Sequence, residues 1–458
     1  MRKKIFIVFV ILFPLIVGLG CRFSKKPDPT ATPTEEPAVN PSLAAPTVTV
    51  EKKETESPSL KPYDANKDLV VVKQSAIYKK DTIVFFGFLI ENTSTHTTYE
   101  GVDFTIQLFS PNGNLIDTSY AYLTQFYPET TQGITATFWL PDEEEVAAST
   151  DIRWTVAGVS FSSDLENPLT LEKLSYWENI DFPIVTGKIV NHTPAIYTNL
   201  RTDVLCYDAA DEIVGGGTVY IDFIHPNNDL GFTVYVDTFG EVSRVDAFPT
   251  ITFTSDVIEE SNLISQVEVL DSHFYEDSSG AVNGGLIIKN TGDSVLRNIY
   301  AYITYFDQDG NIATTGSVYL NLLLPDDIIG ITPWNLILPD GANMIDYSIL
   351  LLPLHKEDDY DLNENPFRIN SIKAAEDDNR YAQVNFTNTY SKTITEVDAY
   401  VLGYNAEGKI IGGGMTWLSD PILPGGEGNV EVLVDCQNPE VIDHFEAWVV
   451  PFDWTRFE

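Results

Sequence analysis

The sequence predicts an all-β protein in which four tandem immunoglobulin-like antiparallel β-sandwich domains follow a disordered tether. Three observations lead to this prediction. A unit of just under 100 residues recurs four times, its segments alternate apolar and polar residues, and no segment has the period of an amphipathic helix. The 458 residues are 43% apolar, which is sufficient for several hydrophobic cores.

The repeat is defined by landmarks of different chemical type. Four Asn residues that each follow an apolar run lie 99, 99 and 98 residues apart: Asn92, Asn191, Asn290 and Asn388. A turn residue comes 20 or 21 residues after each of them, at Gly113, Asp211, Gly310 and Gly408. A proline comes 35 or 36 residues after each, at Pro128, Pro226, Pro325 and Pro424. This period is too long for a solenoid repeat and matches a complete small domain.

The segment before each turn has the alternation of a half-buried strand. In the third copy Ile299, Ala301 and Ile303 form an apolar column, whereas Tyr300 and Tyr302 lie in the other column. A period of two with one apolar face is typical of an antiparallel sheet that is buried on one side. Turns such as the Asp-Gly at 309–310 favour hairpins. We count six or seven strands per copy, which predicts a sandwich.

Cysteine and glycine residues in this pattern receive structural interpretations. Cys206 falls in the apolar column, so we interpret it as a small core residue, and a disulfide to Cys436 would have to join different copies. The glycine triplets at 215–217 and 412–414 occupy matching positions after the hairpin turn. Neither precedes a helix, and we therefore predict strand bulges or close backbone contacts there instead of phosphate loops.

The first 20 residues have the pattern of a lipoprotein signal peptide. Arg2, Lys3 and Lys4 precede an apolar run over 5–17, and small residues lead to Cys21. This end resembles a bacterial lipobox, although Gly18 stands where the lipobox usually has Leu. The resemblance implies lipidation of Cys21, which would become the mature N-terminus. An ordinary signal or an uncleaved anchor is the alternative.

Composition defines the remaining boundaries. Residues 21–66 are rich in Pro, Thr, Ser and Glu and cannot bury enough apolar surface to offset their ordering entropy, which predicts a disordered tether. The predicted β-sandwich repeats are 67–161, 168–255, 263–354 and 366–458. Acidic or polar links separate them, so we expect a string of four domains.

Charge limits the possible partners. The whole chain has a formal net charge of -40. Nucleic-acid binding needs a basic footprint and is therefore excluded, and direct binding to anionic lipid head groups is disfavoured. We expect the protein to contact the membrane through a lipid on Cys21 and to meet an unidentified extracellular or envelope protein or glycan.

Sequence motifs for catalysis or metal binding are scarce. The six His residues show no metal-ligand spacing, and neither a nucleophile elbow nor a phosphate loop is present, so we expect no enzyme, no catalytic residue and no cofactor. The best cation candidate is Asp359, Asp361 and Asn363, whose oxygen ligands alternate as at the start of a calcium loop. Glu364 occupies the position where such a loop needs Gly, and a plain acidic linker is the competing interpretation.

Three tyrosines are the candidate binding residues. Tyr300, Tyr302 and Tyr400 lie in the column that faces away from the predicted core, where exposed aromatic rings offer contact area at small entropic cost. The alternative is that these rings pack against a neighbouring repeat.

The strand motif resembles that of bacterial FxLYD-type extracytoplasmic domains. The four versions are Ile106-x-Leu108-Phe109-Ser110, Val204-x-Cys206-Tyr207-Asp208, Ile303-x-Tyr305-Phe306-Asp307 and Val401-x-Gly403-Tyr404-Asn405. The resemblance implies β-sandwich domains of a surface lipoprotein and supplies no activity. We therefore expect a non-enzymatic, lipid-anchored binding or spacer protein. Alternatives are an accessory subunit of an envelope transporter or enzyme, and a hydrolase with a site between repeats.

Overall fold

The computed structural model describes most of the chain beyond the predicted tether. The described residues are 70–140, 149–161, 167–178, 183–252, 257–259, 263–333, 336–357, 362, 364–376, 378–436 and 441–452. Within these ranges every regular element is a strand, apart from a 3-10 turn at Ile264–Gln266. The all-β prediction is confirmed. The signal peptide, the tether and Cys21 lie outside the described residues.

The strands fall into four sets that correspond to the four repeats. Repeat 1 contains β1 (Val70–Lys80), β2 (Ile83–Asn92), β3 (Thr97–Phe109), β4 (Leu115–Phe126), β5 (Thr131–Trp139) and β6 (Ser149–Phe161). Repeat 2 contains β7 (Leu169–Trp177), β8 (Ile184–Asn191), β9 (Ala195–Tyr207), β10 (Ile213–Ile224), β11 (Asp229–Tyr235), β12 (Asp237–Thr238), β13 (Arg244–Thr250) and β14 (Val257–Glu259).

The second half of the chain repeats this order. Repeat 3 contains β15 (Val267–Glu276), β16 (Ala281–Asn290), β17 (Val295–Phe306), β18 (Ile312–Leu323), β19 (Ile328–Ile331), β20 (Leu336–Ile337) and β21 (Asp346–Glu357). Repeat 4 contains β22 (Phe367–Ala374), β23 (Tyr381–Asn388), β24 (Val397–Tyr404), β25 (Ile410–Leu418), β26 (Glu427–Leu433) and β27 (His444–Pro451).

Each repeat is a sandwich of two antiparallel sheets with the same strand order. The sheets that we call "first" are β1-β2-β5, β7-β8-β11, β15-β16-β19 and β22-β23-β26. The sheets that we call "second" are β4-β3-β6, β10-β9-β13, β18-β17-β21 and β25-β24-β27. Three short strands extend these sheets: β12 pairs with β10, β14 with β9 and β20 with β16. Four immunoglobulin-like sandwiches are therefore present, as the sequence predicts.

Two predicted domain ends are too early. β14 pairs with β9, so the second sandwich extends to Glu259 instead of ending at 255. β21 continues to Glu357, which pairs with Val295 of β17, so the third sandwich passes the predicted end at 354. Glu259 and Glu357 thus lie on paired strands, although their negative charge led us to assign them to linkers from the sequence.

The apolar columns of the two sheets meet in the core of each sandwich. In repeat 3 the fully buried core residues include Leu286, Ile303 and Tyr305. Cys206 is fully buried in the equivalent cluster of repeat 2, which confirms its interpretation as a core residue. Burial raises the pKa of its thiol to about 12, and both Cys206 and Cys436 are free thiols. Nucleophilic chemistry at Cys206 is thereby disfavoured.

The landmark asparagines are buried tie points within each sandwich. The Asn388 amide nitrogen donates to the carbonyl oxygens of Lys392 (2.9 Å) and Ile422 (2.8 Å), while its Oδ1 accepts from the Tyr390 amide. Asn92, Asn191 and Asn290 make the equivalent set of bonds. Each Asn joins the end of a first-sheet strand to the start of the second sheet and to the loop after the hairpin. The four Asn residues are therefore evenly spaced in the sequence because every repeat needs the same set of hydrogen bonds.

The glycine triplets admit a neighbouring backbone. Gly215 and Gly216 pair with β12, and the register of β10 shifts at this point, as at a bulge. A Cβ on Gly412 would collide with the Asp435 carbonyl oxygen. Both triplets are close backbone contacts, as predicted.

The four sandwiches pack face to face within one compact unit. At each junction the outer face of a first sheet lies against the outer face of the second sheet of the next repeat, through β5 and β9, β11 and β18, and β16 and β25. The expected string of separate domains is replaced by a stack in which sheets alternate. This arrangement decides where a functional surface can lie.

Candidate functional site

The tyrosines predicted to be exposed lie at the repeat junctions. Tyr302 is 7% exposed and Tyr400 is 3% exposed. Tyr302 joins the core cluster of repeat 2, with its ring centroid 6.4 Å from that of Phe223, and Tyr400 joins the cluster of repeat 3. Tyr300 is partly buried beside the same Phe223. The prediction of exposure is wrong for Tyr302 and Tyr400 because the preceding repeat covers this sheet face.

The calcium candidate cannot be placed. Asp359, Asp361 and Asn363 lie outside the described residues, and so does Cys21. Within the described ranges no group of three or more His, Cys, Asp or Glu side chains is arranged to hold a metal ion. The same ranges contain no helix long and apolar enough to cross a bilayer.

The junction between repeats 1 and 2 combines an apolar cluster with a buried ion pair. Phe85 of repeat 1 packs with Leu205 of repeat 2. Arg201 and Asp203 are both buried, with Arg201 Nε donating to Asp203 Oδ2 at 2.8 Å. Thr135, on β5 of repeat 1, donates its amide to Asp203 Oδ1 and accepts from Arg201 Nη2 at its carbonyl oxygen. A charge pair buried in this way is stable only while both members and their hydrogen bonds are in place.

The junction between repeats 2 and 3 is held by neutral hydrogen bonds. Thr186 Oγ1 donates to the Ile312 carbonyl oxygen at 2.7 Å, and His225 Nε2 donates to that of Leu351 at 2.9 Å. Asp222 faces Ser317 across the same junction, and burial raises the pKa of the Asp222 carboxyl to about 6. The raised pKa makes this contact sensitive to mild acid.

The junction between repeats 3 and 4 contains a second buried carboxyl. Asn321 Nδ2 of repeat 3 donates to Asp398 Oδ2 of repeat 4 at 2.8 Å. The other oxygen of Asp398 is buried without a hydrogen-bond partner. Burial is the largest cause of the raised pKa of Asp398, about 6, and Glu396 raises it further. The apolar part of the junction is formed by Leu402 and Ile287.

One glycine in each first sheet makes close stacking possible. Gly133, Gly231 and Gly330 occupy equivalent slots. An added Cβ would come within 2.5 Å of the next repeat, at Phe248, Thr304 and Trp448, respectively. The equivalent residue of repeat 4 is Asn429, which is exposed. Among the four copies, a side chain stands in this slot only in repeat 4.

Both outer faces of the stack are polar. On the second sheet of repeat 1, Asp103, Thr105 and Gln107 occupy the slots of Arg201, Asp203 and Leu205. On the first sheet of repeat 4, Gln383 occupies the slot that is Gly285 in repeat 3. Terminal repeats of stacked proteins need such polar faces to remain soluble. On the first sheets the sequence carries this signal, because Gln383 and Asn429 stand in repeat 4 where repeat 3 has Gly285 and Gly330.

An exposed aromatic residue recurs on the edge strand of each second sheet. Tyr122, Tyr220, Tyr319 and Trp417 each lie nine residues after the turn landmark and pair across the sheet with Asp103, Arg201, Tyr300 and Asp398. Tyr220 is 59%, Tyr319 41% and Trp417 67% exposed, while Tyr122 is partly exposed. We call these four residues the aromatic row. The aromatic row can be found in the sequence, because each member lies nine residues after the turn landmark of its copy.

A groove beside the first junction has a volume of about 490 Å³. Its lining includes Tyr176, Phe239 and the charged residues Lys80, Glu178 and Asp237. The described lining residues include neither His nor Cys. The groove therefore offers hydrogen-bonding groups and an aromatic wall.

Comparison with known proteins gives little beyond the fold. No protein-family model matches the chain, and no curated protein matches it. Among solved structures, the chain is similar to the native conformation of alpha-2-macroglobulin from E. coli, at 8% identity over 83% of this chain and with a TM-score of 0.12. The match spans 29% of that protein.

Proposed function

We propose that the chain is a non-enzymatic, lipid-anchored extracytoplasmic protein whose stacked sandwiches serve as a binding or spacer module. The proposed location rests on the signal-like N-terminus, on Cys21 and on the Pro-rich stretch that follows. The resemblance of the four strand motifs to FxLYD-type domains supports the same assignment.

The observation that carries the proposal is the recurrence of one junction geometry three times. Each junction is filled by side chains from both repeats, including buried polar groups such as Arg201 and Asp398 that would be costly to expose unpaired. A stack joined in this way resists bending at its junctions. It suits a module that holds a surface at a defined distance from its anchor.

Cell fractionation of the full-length chain tests the anchor. We expect the wild-type protein to sediment with membranes and to incorporate an alkyne-tagged fatty acid, and the Cys21→Ser variant to lose the label. Recovery of unlabelled wild-type protein in the cytosol would overturn the proposal. Co-purification of the chain in a fixed ratio with a transporter or enzyme would support the accessory-subunit alternative instead.

A spacer role has a separate test. Small-angle scattering of the full-length protein in detergent, compared with the same protein carrying Gly231→Asn, reports whether the junctions restrict bending. We expect greater flexibility in the variant. Equal, high flexibility in both proteins would remove the spacer role.

A further inference from the structure

We propose that the aromatic row, Tyr122, Tyr220, Tyr319 and Trp417, binds a neutral polysaccharide. This inference rests on the extracytoplasmic binding role proposed above and names the ligand class for it. A polysaccharide chain is the occupant that best fits the regularity, chemistry and charge of this surface.

Regular recurrence is the first argument. All four residues lie on the edge strand of a second sheet, and equivalent strands meet at the three junctions: β2 and β10, β8 and β18, and β16 and β25. The rotation and translation that superpose one repeat on the next therefore also superpose one aromatic side chain on the next. A ligand with repeating units can meet several of these rings at once, and weak contacts then combine into useful avidity.

The side chains are suited to sugar rings. An aromatic face packs against the C–H face of a sugar, while neighbouring polar groups bond to its hydroxyls. Tyr319 is held in place by a hydrogen bond from its hydroxyl to Asn298 Oδ1 (2.7 Å), and its ring lies 5.0 Å from that of Tyr300. Ser317, two residues away, is exposed on the same strand face. A ring held in this way loses little freedom on binding.

Charge selects among polymers. With a net charge of -40, the protein repels nucleic acids and other polyanions. The row lies on an open strand edge instead of in an enclosed cavity, which favours an extended ligand over a small molecule. A neutral glycan satisfies both conditions.

A retention assay on insoluble polymers tests the inference. Full-length protein in detergent is passed over cellulose, chitin, xylan and mannan, and the bound fraction is measured as a function of protein concentration. We expect retention on at least one polymer, and an affinity loss of about tenfold or more in the double variant Tyr220→Ala/Trp417→Ala.

The chain offers a closely matched control. Trp139→Ala/Tyr235→Ala removes the same two residue types from positions that are 71% and 68% exposed and lie on first sheets, outside the row. This variant should bind within twofold of wild type. Because Tyr220 also hydrogen-bonds to Arg201 at the first junction, retention of each variant is measured well below its own thermal midpoint. Failure of all four polymers to retain the wild type, or equal losses in the two variants, would overturn the inference. Fatty-acid labelling of Cys21 is independent of the row, so its success alongside failed retention would leave the proposed function standing.

Discussion

The side-chain amide of Asn290 donates to the carbonyl oxygen of Leu323, 33 residues further along the chain, at 3.0 Å. The same nitrogen donates to the Ser294 carbonyl oxygen, and Asn290 is fully buried. One side chain thus bonds to backbone groups of two separate segments, one directly before β17 and one at the end of β18. An Asn makes the same bonds in every repeat, so each sandwich depends on this residue type.

We predict that Asn290→Ala destabilises repeat 3. The substitution removes donors from two buried carbonyl oxygens, and each unsatisfied group costs about 1–3 kcal/mol. Chemical denaturation monitored by hydrogen exchange should show earlier opening of β16 and β17 than in the wild type. A loss of about 2–4 kcal/mol is expected for this repeat.

Asn385→Ala is the matched control for that experiment. Asn385 lies on β23 on the outer face of repeat 4, where its Oδ1 accepts from Asn370. Because this bond is exposed, its loss should change stability by less than about 0.5 kcal/mol. Equal effects of the two substitutions would contradict the role assigned to the buried Asn.

The sequence predicts the repeat unit well because buried polar groups and tight turns impose residue types. Asn290 and Gly310 are fixed by their hydrogen bonds and positive φ, respectively, so they recur at constant spacing. The sequence led us to expect separate domains, and packing between repeats was only the alternative interpretation of the tyrosines. Tyr302 and Tyr400 stand in the column of each strand that faces away from its own core. The alternation of apolar and polar residues is the same whether that outer face contacts water or another sheet.

The stacking was nevertheless encoded at other positions. Gly133, Gly231 and Gly330 recur in a strand where glycine is otherwise unfavourable, and Asn429 replaces them only in the last copy. Comparing the terminal copies with the internal ones distinguishes a covered outer face from a solvated one. Predicted sites at Cys21 and near Asp361 lie outside the described residues and stay predictions.

We predict that Gly330→Asn opens the junction between repeats 3 and 4. The new side chain would meet Leu402 and Trp448, and overpacking of this kind costs about 1–3 kcal/mol. Hydrogen exchange of β19 and β24 should accelerate, whereas peptides of repeat 1 should keep their wild-type rates. Unchanged exchange at β24 would show that the two sheets are not in contact in solution.

The reciprocal substitution Asn429→Gly controls for the effect of the residue types themselves. Asn429 is exposed on the last first sheet, so its replacement should leave exchange at the junctions unchanged. A large change would mean that this face is covered, contrary to its polar character.

We predict that mild acid strengthens the junction between repeats 3 and 4 through Asp398. The carboxyl has a pKa of about 6 in the folded protein, above its ordinary value of 3.8. The folded state therefore binds the proton more tightly than the unfolded state, and this contribution to stability increases as the pH falls from 7 towards 4. The difference corresponds to roughly 2–3 kcal/mol.

Denaturation midpoints of wild type and Asp398→Asn at pH 5 and pH 7.5 measure this contribution. The variant keeps an acceptor for the Asn321 amide and should be less pH-dependent than the wild type. Asp103→Asn, at the equivalent but exposed slot of repeat 1, removes the same charge and should retain the wild-type slope. Identical slopes for all three proteins would rule out Asp398 as the titrating group.

The buried pair at the first junction provides a test of coupling between repeats. Because Arg201 and Asp203 are mutually bonded and both contact Thr135, Asp203→Ala leaves a buried guanidinium without its partner, and we expect a loss of about 3–5 kcal/mol. The double variant Arg201→Met/Asp203→Leu removes both charges and should recover much of that loss, as apolar replacements of buried ion pairs do. A double-mutant cycle followed by hydrogen exchange of β5, in repeat 1, measures the effect across the junction. If β5 keeps its wild-type exchange in Asp203→Ala, the pair stabilises repeat 2 alone and does not hold the two repeats together.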